Sequence, residues 1–180
     1  MNRMERLARL DAETADDGPA LGLLAEALAA GERGDYPVAA WLTDASGRIW
    51  AKGQNRVFSG GFCSAAHAEM QALDAFERLP VRPAAAGLSL WVSLEPCPMC
   101  LTRALYAGVG EIVYLVEDAA GGMAHRRDQL PPALAELARQ VRFRPARLGW
   151  AVARFAGELG RAFQAELRAA LLAAREGDVS

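Results

Sequence analysis

The sequence has 180 residues, 52% of them hydrophobic, and its 20 basic and 22 acidic side chains leave a net charge of −2. That length supports one well-buried domain over residues 1–180 and is short for two. The slightly acidic balance excludes the overall basic field that long nucleic acids attract.

No stretch approaches the roughly 20 uninterrupted apolar residues of a membrane span. The charged start, with Arg3, Glu5, Arg6 and Arg9, lacks the apolar core of a signal peptide. Three cysteines, two of them close together, make no disulfide framework, so the expected setting is reducing and cytoplasmic. Only Lys52 among the basic residues is a lysine, a bias that reads as genome composition rather than guanidinium chemistry.

Residues 2–12 have the pattern of a short helix with Met4, Leu7 and Leu10 on one side. The acidic run 11–18 is loop-like, so 1–18 reads as a loose N-terminal arm. Helical spacing of Leu21, Leu24, Ala25 and Leu28 predicts a helix over 20–30, closed by Gly31 and Gly34. An apolar strand over 37–43, a turn at Asp44-Ala45-Ser46-Gly47 and a second strand over 48–52 make a β-hairpin. Asn55 stands at its end. After a glycine-containing loop, Ser64 suits the N-cap or first turn of a helix through Phe76, with Met70, Leu73 and Phe76 inward.

Strands are predicted over 88–94, 111–116 and 141–144, with helices over 97–107 and 130–140 and a loop over 117–127. Pro131 and Pro132 are tolerated in a helical first turn. A long C-terminal helix is predicted over 146–176, with Val152, Phe155, Leu159, Phe163 and Leu167 apolar. Arg147, Arg154, Arg161, Arg168 and Arg175 recur every seven residues along one drifting face, read as a solvated face ahead of an RNA-binding stripe. A hairpin followed by strands alternating with helices argues for an α/β fold, a central mixed sheet of about five strands between helices.

The residues that carry chemistry are His67, Glu69, Cys97 and Cys100. Cys97 and Cys100 are three apart, so on a helix both sulfurs project from one face. With Cys97 at the N-cap, Pro98 falls at the first helical position, where its missing N–H costs nothing. The helix dipole there favours thiolate over thiol. His67 and Glu69 lie two apart, about 200° around a helix axis, and address one point only near the helix end. The spacing therefore predicts two helix N-termini meeting at one metal.

The donor set reads as zinc held by His67, Cys97 and Cys100, with the fourth position open to a water or hydroxide and Glu69 beside it as general acid/base. Zinc brings the pKa of bound water down to about 7. Glu69 then takes that proton and delivers it to a substrate nitrogen. Attack at a ring carbon bearing an amino group, followed by loss of ammonia, is hydrolytic deamination.

His67-Ala68-Glu69 followed by Pro96-Cys97-Pro98-Met99-Cys100 resembles the cytidine deaminase-like zinc deaminase superfamily. The resemblance spans residues 21–116 and is specific at the site. It implies a three-layer α/β/α sandwich, one zinc per chain and a homodimer. Glu95-Pro96-Cys97-Pro98-Met99-Cys100 resembles the branch that contains guanine deaminases and bacterial tRNA adenosine deaminases. In that branch an asparagine after the second strand contacts the base, and Asn55 is the matching position. Ala66, just before the histidine, is the second substrate-side position. The segment Cys63-Ser64-Ala65-Ala66 departs from the Asp-Pro-Thr-Ala common there, which bears on the pocket rim.

The leading expectation is deamination of a small heterocyclic amine, foremost a purine base such as guanine, because the charge balance favours a small substrate over a polynucleotide. The alternative is a tRNA adenosine deaminase producing inosine. A catalytically inactive, zinc-stabilised partner subunit is the third reading, and Glu69 weighs against it. Cys63 is the one other thiol that would close the metal site if it ligated. Trp41, Trp91 and Tyr106 read as core residues, Phe58 as the aromatic near the substrate, and His125 as a solvated loop residue.

Overall fold

The structure, a computed structural model, describes residues 1–162 and 164–176. Five strands form one mixed sheet in the order β2-β1-β3-β4-β5, with β1 Ala39–Asp44, β2 Ile49–Gln54, β3 Leu88–Val92, β4 Glu111–Tyr114 and β5 Arg142–Pro145. β1 is antiparallel to both neighbours, whereas β3, β4 and β5 run parallel. Parallel neighbours need crossovers. Helices α4 (Pro98–Ala107) and α5 (Pro132–Ala138) supply them.

Strand alternation divides the buried side chains into two cores. Ala40, Leu42, Leu90, Val92 and Ile112 face α3 (Ala68–Glu77) and α4, packing on Leu73, Phe76, Leu101 and Leu105. Ala39, Trp41, Trp91 and Val113 face the other way, onto Leu23, Leu24 and Leu28 of α2 (Asp17–Glu32) and Val152, Phe155 and Leu159 of α6 (Trp150–Arg161). Each fully buried Leu or Phe contributes roughly 1.5–3 kcal/mol, so both layers are held chiefly by these contacts. The arrangement is the three-layer α/β/α fold expected.

One glycine sets the height of α3 above the sheet. A Cβ on Gly53 of β2 would collide with the backbone of Ala68 and Ala72, so the strand and the first turn of α3 touch main chain to main chain. That contact places the residues just before and after Ala68.

Four expectations need correction. The third helix starts at Ala68, later than Ser64 suggested, because 63–66 is spent on a turn in which Cys63 C=O accepts from Ala66 N–H; Met70 is only half buried. The segment 1–18 is not loose. It forms α1 (Arg3–Leu7) with an Asn2/Glu5 capping box, buries Leu7, and bonds to the far end of the chain. There the buried Asp17 carboxylate accepts from the Gly149, Glu13 and Thr14 backbone N–H groups, Asp16 pairs with Arg144 at 2.7 Å, and Arg6 with Glu158.

The long helix over 146–176 is two helices. Ala162 adopts extended backbone (ψ 140°) and separates α6 from α7 (Gln164–Arg175), which also divides the arginine stripe between two axes. Phe163, expected on the apolar face, and residues 177–180 lie outside the described residues. Tyr106 is 70% exposed and not a core residue, because it lies on the outer face of α4. No described helix is long and apolar enough to cross a membrane.

Candidate active site

His67 is the N-cap of α3 and Cys97 the N-cap of α4, both in extended backbone. Neither side chain caps its own helix, and both turn into the gap between the two helix starts. Pro98 occupies the first position of α4, and Cys100 follows one turn inward, buried. The predicted convergence of two helix N-termini is therefore what the fold provides, and their dipoles favour negative charge at the meeting point.

His67 Nδ1 lies 3.7 Å from Cys97 Sγ and 3.5 Å from Cys100 Sγ, and the three donor atoms all fall within 4.8 Å of one another. A tetrahedral ion with Zn–N of about 2.0–2.1 Å and Zn–S of about 2.3 Å spaces adjacent nitrogen and sulfur ligands by about 3.6 Å. The donor set fits zinc in both chemistry and spacing. Cys63 is exposed and outside this cluster, so among the described residues three candidate ligands converge, the number that leaves a position for chemistry.

The charges of the site are coupled. Hydrogen bonding from the Cys100 thiol holds Cys97 down to about 4 against the opposing effect of burial, with His67 adding to the lowering. The Cys100 thiol is pushed up by that same bond and by burial. Hydrogen bonding to Cys97 raises His67. Glu69, in the first turn of α3, is buried, and burial pushes its carboxyl up to about 7.

A cavity of about 190 Å³ opens beside this cluster, and Asn55, His67, Glu69 and Cys97 line it. Asn55 is 2% exposed. Its Oδ1 accepts from the Val57 N–H at 3.1 Å and its carbonyl from Arg33, so the Nδ2 donors remain for the cavity. Ala66 is buried and does not line the cavity. Nor does Phe58, which packs on Tyr36 with ring centroids 5.7 Å apart; Tyr36 is the aromatic at the cavity.

Glu95, Asp118 and Gln164, none of them singled out by residue in the sequence, also line the cavity. The signal for Glu95 was its place one residue before Pro96 at a strand end. Gln164 had none, since the break at Ala162 brings it there. A larger cavity of about 890 Å³ lies at the opposite ends of the strands, by Thr43, Ser89 and Glu111, and holds none of the donor set.

Residues 20–116 match the family described as the cytidine and deoxycytidylate deaminase zinc-binding region. The chain belongs to this family. Among relatives of this deaminase family, it is 37% identical over 105 residues to the tRNA-specific adenosine deaminase of Agrobacterium fabrum, covering 55% of this chain and 64% of that protein. It is 43% identical over 99 residues to a tRNA(Ile)-lysidine synthase of Deinococcus radiodurans, covering 51% of this chain and 16% of that protein. The chain thus spans less than two thirds of the length of these curated relatives.

Among solved structures, a guanine deaminase from Nitrosomonas europaea superposes with a TM-score of 0.62 at 25% identity, over 87% of this chain and 91% of that one. A structure from a study of A-to-I editing by tRNA:A34 deaminases superposes with a TM-score of 0.60 at 27% identity, over 76% of this chain and 94% of that one. A mixed five-stranded sheet flanked by helices is common to the deaminase fold they share with this chain.

Proposed function

We propose that this chain is a hydrolytic deaminase of a free purine base, guanine foremost. The observation that carries this reading is the size and roof of the cavity. Its volume of about 190 Å³ is below the roughly 300–1,000 Å³ of pockets for drug-sized ligands, which suits one ring system without a polymer attached. Gly160, Ala162 and Gln164, where α6 gives way to α7, close its side, and the Tyr36 hydroxyl donates to the Leu167 carbonyl at 3.3 Å, holding α7 near it.

His67, Cys97 and Cys100 would hold the zinc. Bound there, zinc supplies Lewis-acid activation of the attacking water. Asn55 donates through Nδ2 to an acceptor on the base and orients the ring. Glu69, with its carboxyl near 7, takes a proton from the water that adds to the amino-bearing ring carbon and passes it to the amino nitrogen. The carbon–nitrogen bond then breaks, ammonia leaves, and the ring keeps the water's oxygen. The buried walls exclude bulk water from Glu69.

The second reading, adenosine deamination in tRNA, is supported by the sequence relatives, two of which are tRNA-specific adenosine deaminases at 37% and 35% identity. An ammonia-release assay on guanine, adenine, cytosine, their nucleosides and a tRNA anticodon stem-loop separates the readings. Turnover of guanine well ahead of guanosine and of the stem-loop is expected. Turnover of the stem-loop alone would replace the first reading with the second.

A further inference from the structure

Glu95 is a buried carboxylate that the deamination chemistry above does not use. It lies two residues before Cys97 and lines the cavity. Its oxygens accept from the Asp118 N–H at 2.9 Å, from the His125 N–H at 2.7 Å, and are met by His125 Nδ1 at 2.8 and 2.9 Å. A carboxylate that accepts from two backbone N–H groups leaves His125 Nδ1 the donor's role. The loop between β4 and α5 is thereby folded around one side chain.

Two neighbours tighten the wrap. Gly122 lies so close that a Cβ there would collide with the Glu95 carboxylate, and Met123 N–H donates to the Pro96 carbonyl at 2.9 Å. The loop that begins at Asp118, itself a wall of the cavity, is thus strapped to the two residues that lead into Cys97. His125 lies outside the cavity lining, its side chain 23% exposed against 0% for Glu95.

We infer that His125 is a positioning residue for the deamination site, holding the Glu95 carboxylate and the Asp118 end of the loop in place as one wall of the substrate cavity. The inference rests on the deaminase reading for its kinetic consequence but not for the anchoring itself. Loss of the imidazole leaves a buried carboxylate short of one donor and frees the loop's C-terminal end. Substrate affinity suffers, while the metal ligands and Glu69, on other elements, keep their places.

The test compares His125→Phe, which keeps a ring and loses the donor, with His125→Asn, whose Nδ2 can replace Nδ1. Zinc content, guanine kinetics and hydrogen exchange of the 118–125 amides are measured on the full chain. For His125→Phe we expect amide exchange and KM to rise roughly tenfold, on the scale of one hydrogen bond to a charged group, with zinc content and kcat close to the unsubstituted protein. His125→Asn should recover most of both. Unchanged exchange and KM in His125→Phe, or a fall in kcat that tracks loss of zinc, overturns the proposal. If the unsubstituted protein turns over no guanine, the substrate reading fails on its own, and exchange alone decides whether His125 anchors the wall.

Discussion

The Nδ1 atom of His67 stands 3.5 Å from the sulfur of Cys100, across a gap between two helix N-termini whose donors are 33 positions apart in sequence. Because α3 and α4 each begin at this point, the proposed ligands and the proposed proton carrier belong to N-caps and first turns, where backbone N–H groups are free and the dipole is positive.

That separation of roles yields the first expectation. Glu69→Ala keeps zinc and loses about 10²–10⁴-fold in kcat, the usual span of general acid–base catalysis. His67→Ala and Cys97→Ala lose zinc as well as turnover. Metal analysis beside ammonia release distinguishes them, and undiminished turnover by Glu69→Ala would refute the assignment.

Asn55→Ala removes the cavity's donor and leaves the Val57 N–H without its acceptor. KM for the base should rise roughly tenfold, as for one lost hydrogen bond, with zinc content unchanged. A KM equal to that of the unsubstituted protein would remove Asn55 from substrate recognition.

Gly53→Ala pushes a methyl group into the backbone of Ala68 and Ala72. Overpacking of this kind costs about 1–3 kcal/mol. Urea unfolding should show that loss, accompanied by weaker zinc retention, because His67 is the N-cap of α3, next to Ala68. Full stability and full zinc occupancy would show that α3 can slide without consequence.

Asp17 makes the fold acid-sensitive. Burial raises its pKa, but the hydrogen bonds from Gly149, Glu13 and Thr14 outweigh it and hold the carboxyl below its ordinary 3.8. A folded-state pKa below the unfolded one stabilises above about pH 4 and is lost as the pH falls through the lowered value. Unfolding free energy measured from pH 6 down to pH 3 should therefore drop less steeply in Asp17→Asn than in the unsubstituted chain. Parallel curves would assign the acid sensitivity elsewhere.

The site was legible in the sequence because its chemistry sits on local signals. Cys97-Pro98 announces an N-cap followed by a first helical position, Cys100 lies one turn on, and the two-residue step from His67 to Glu69 fits only a helix end. The sheet was legible for a similar reason, since its strands read as short apolar runs bounded by turns, as in Ala39 to Leu42, which are buried on both faces of the sheet. What escaped depends on partners far along the chain. Asp16 meets Arg144, and Asp17 meets Gly149, across more than a hundred residues. No periodicity encodes such pairs, so 1–18 looked unattached. His125 read as a solvated loop residue because its partner Glu95 is 30 positions earlier. The break at Ala162 was hidden by an apolar pattern that runs on at helical spacing through it, and with it went the roof of the cavity.

Helix α6 connects two of these features. Its N-cap, Gly149, donates to the buried Asp17 carboxylate, and its last turn brings Gly160 to the substrate cavity. Twelve residues at 1.5 Å each make it a strut about 18 Å long. The strut is fixed at one end by the first residue of α2 and bears on the cavity at the other. The dimensions of the pocket are thus set partly from the far side of the molecule, and selection on substrate preference can act through residues that never touch the ligand.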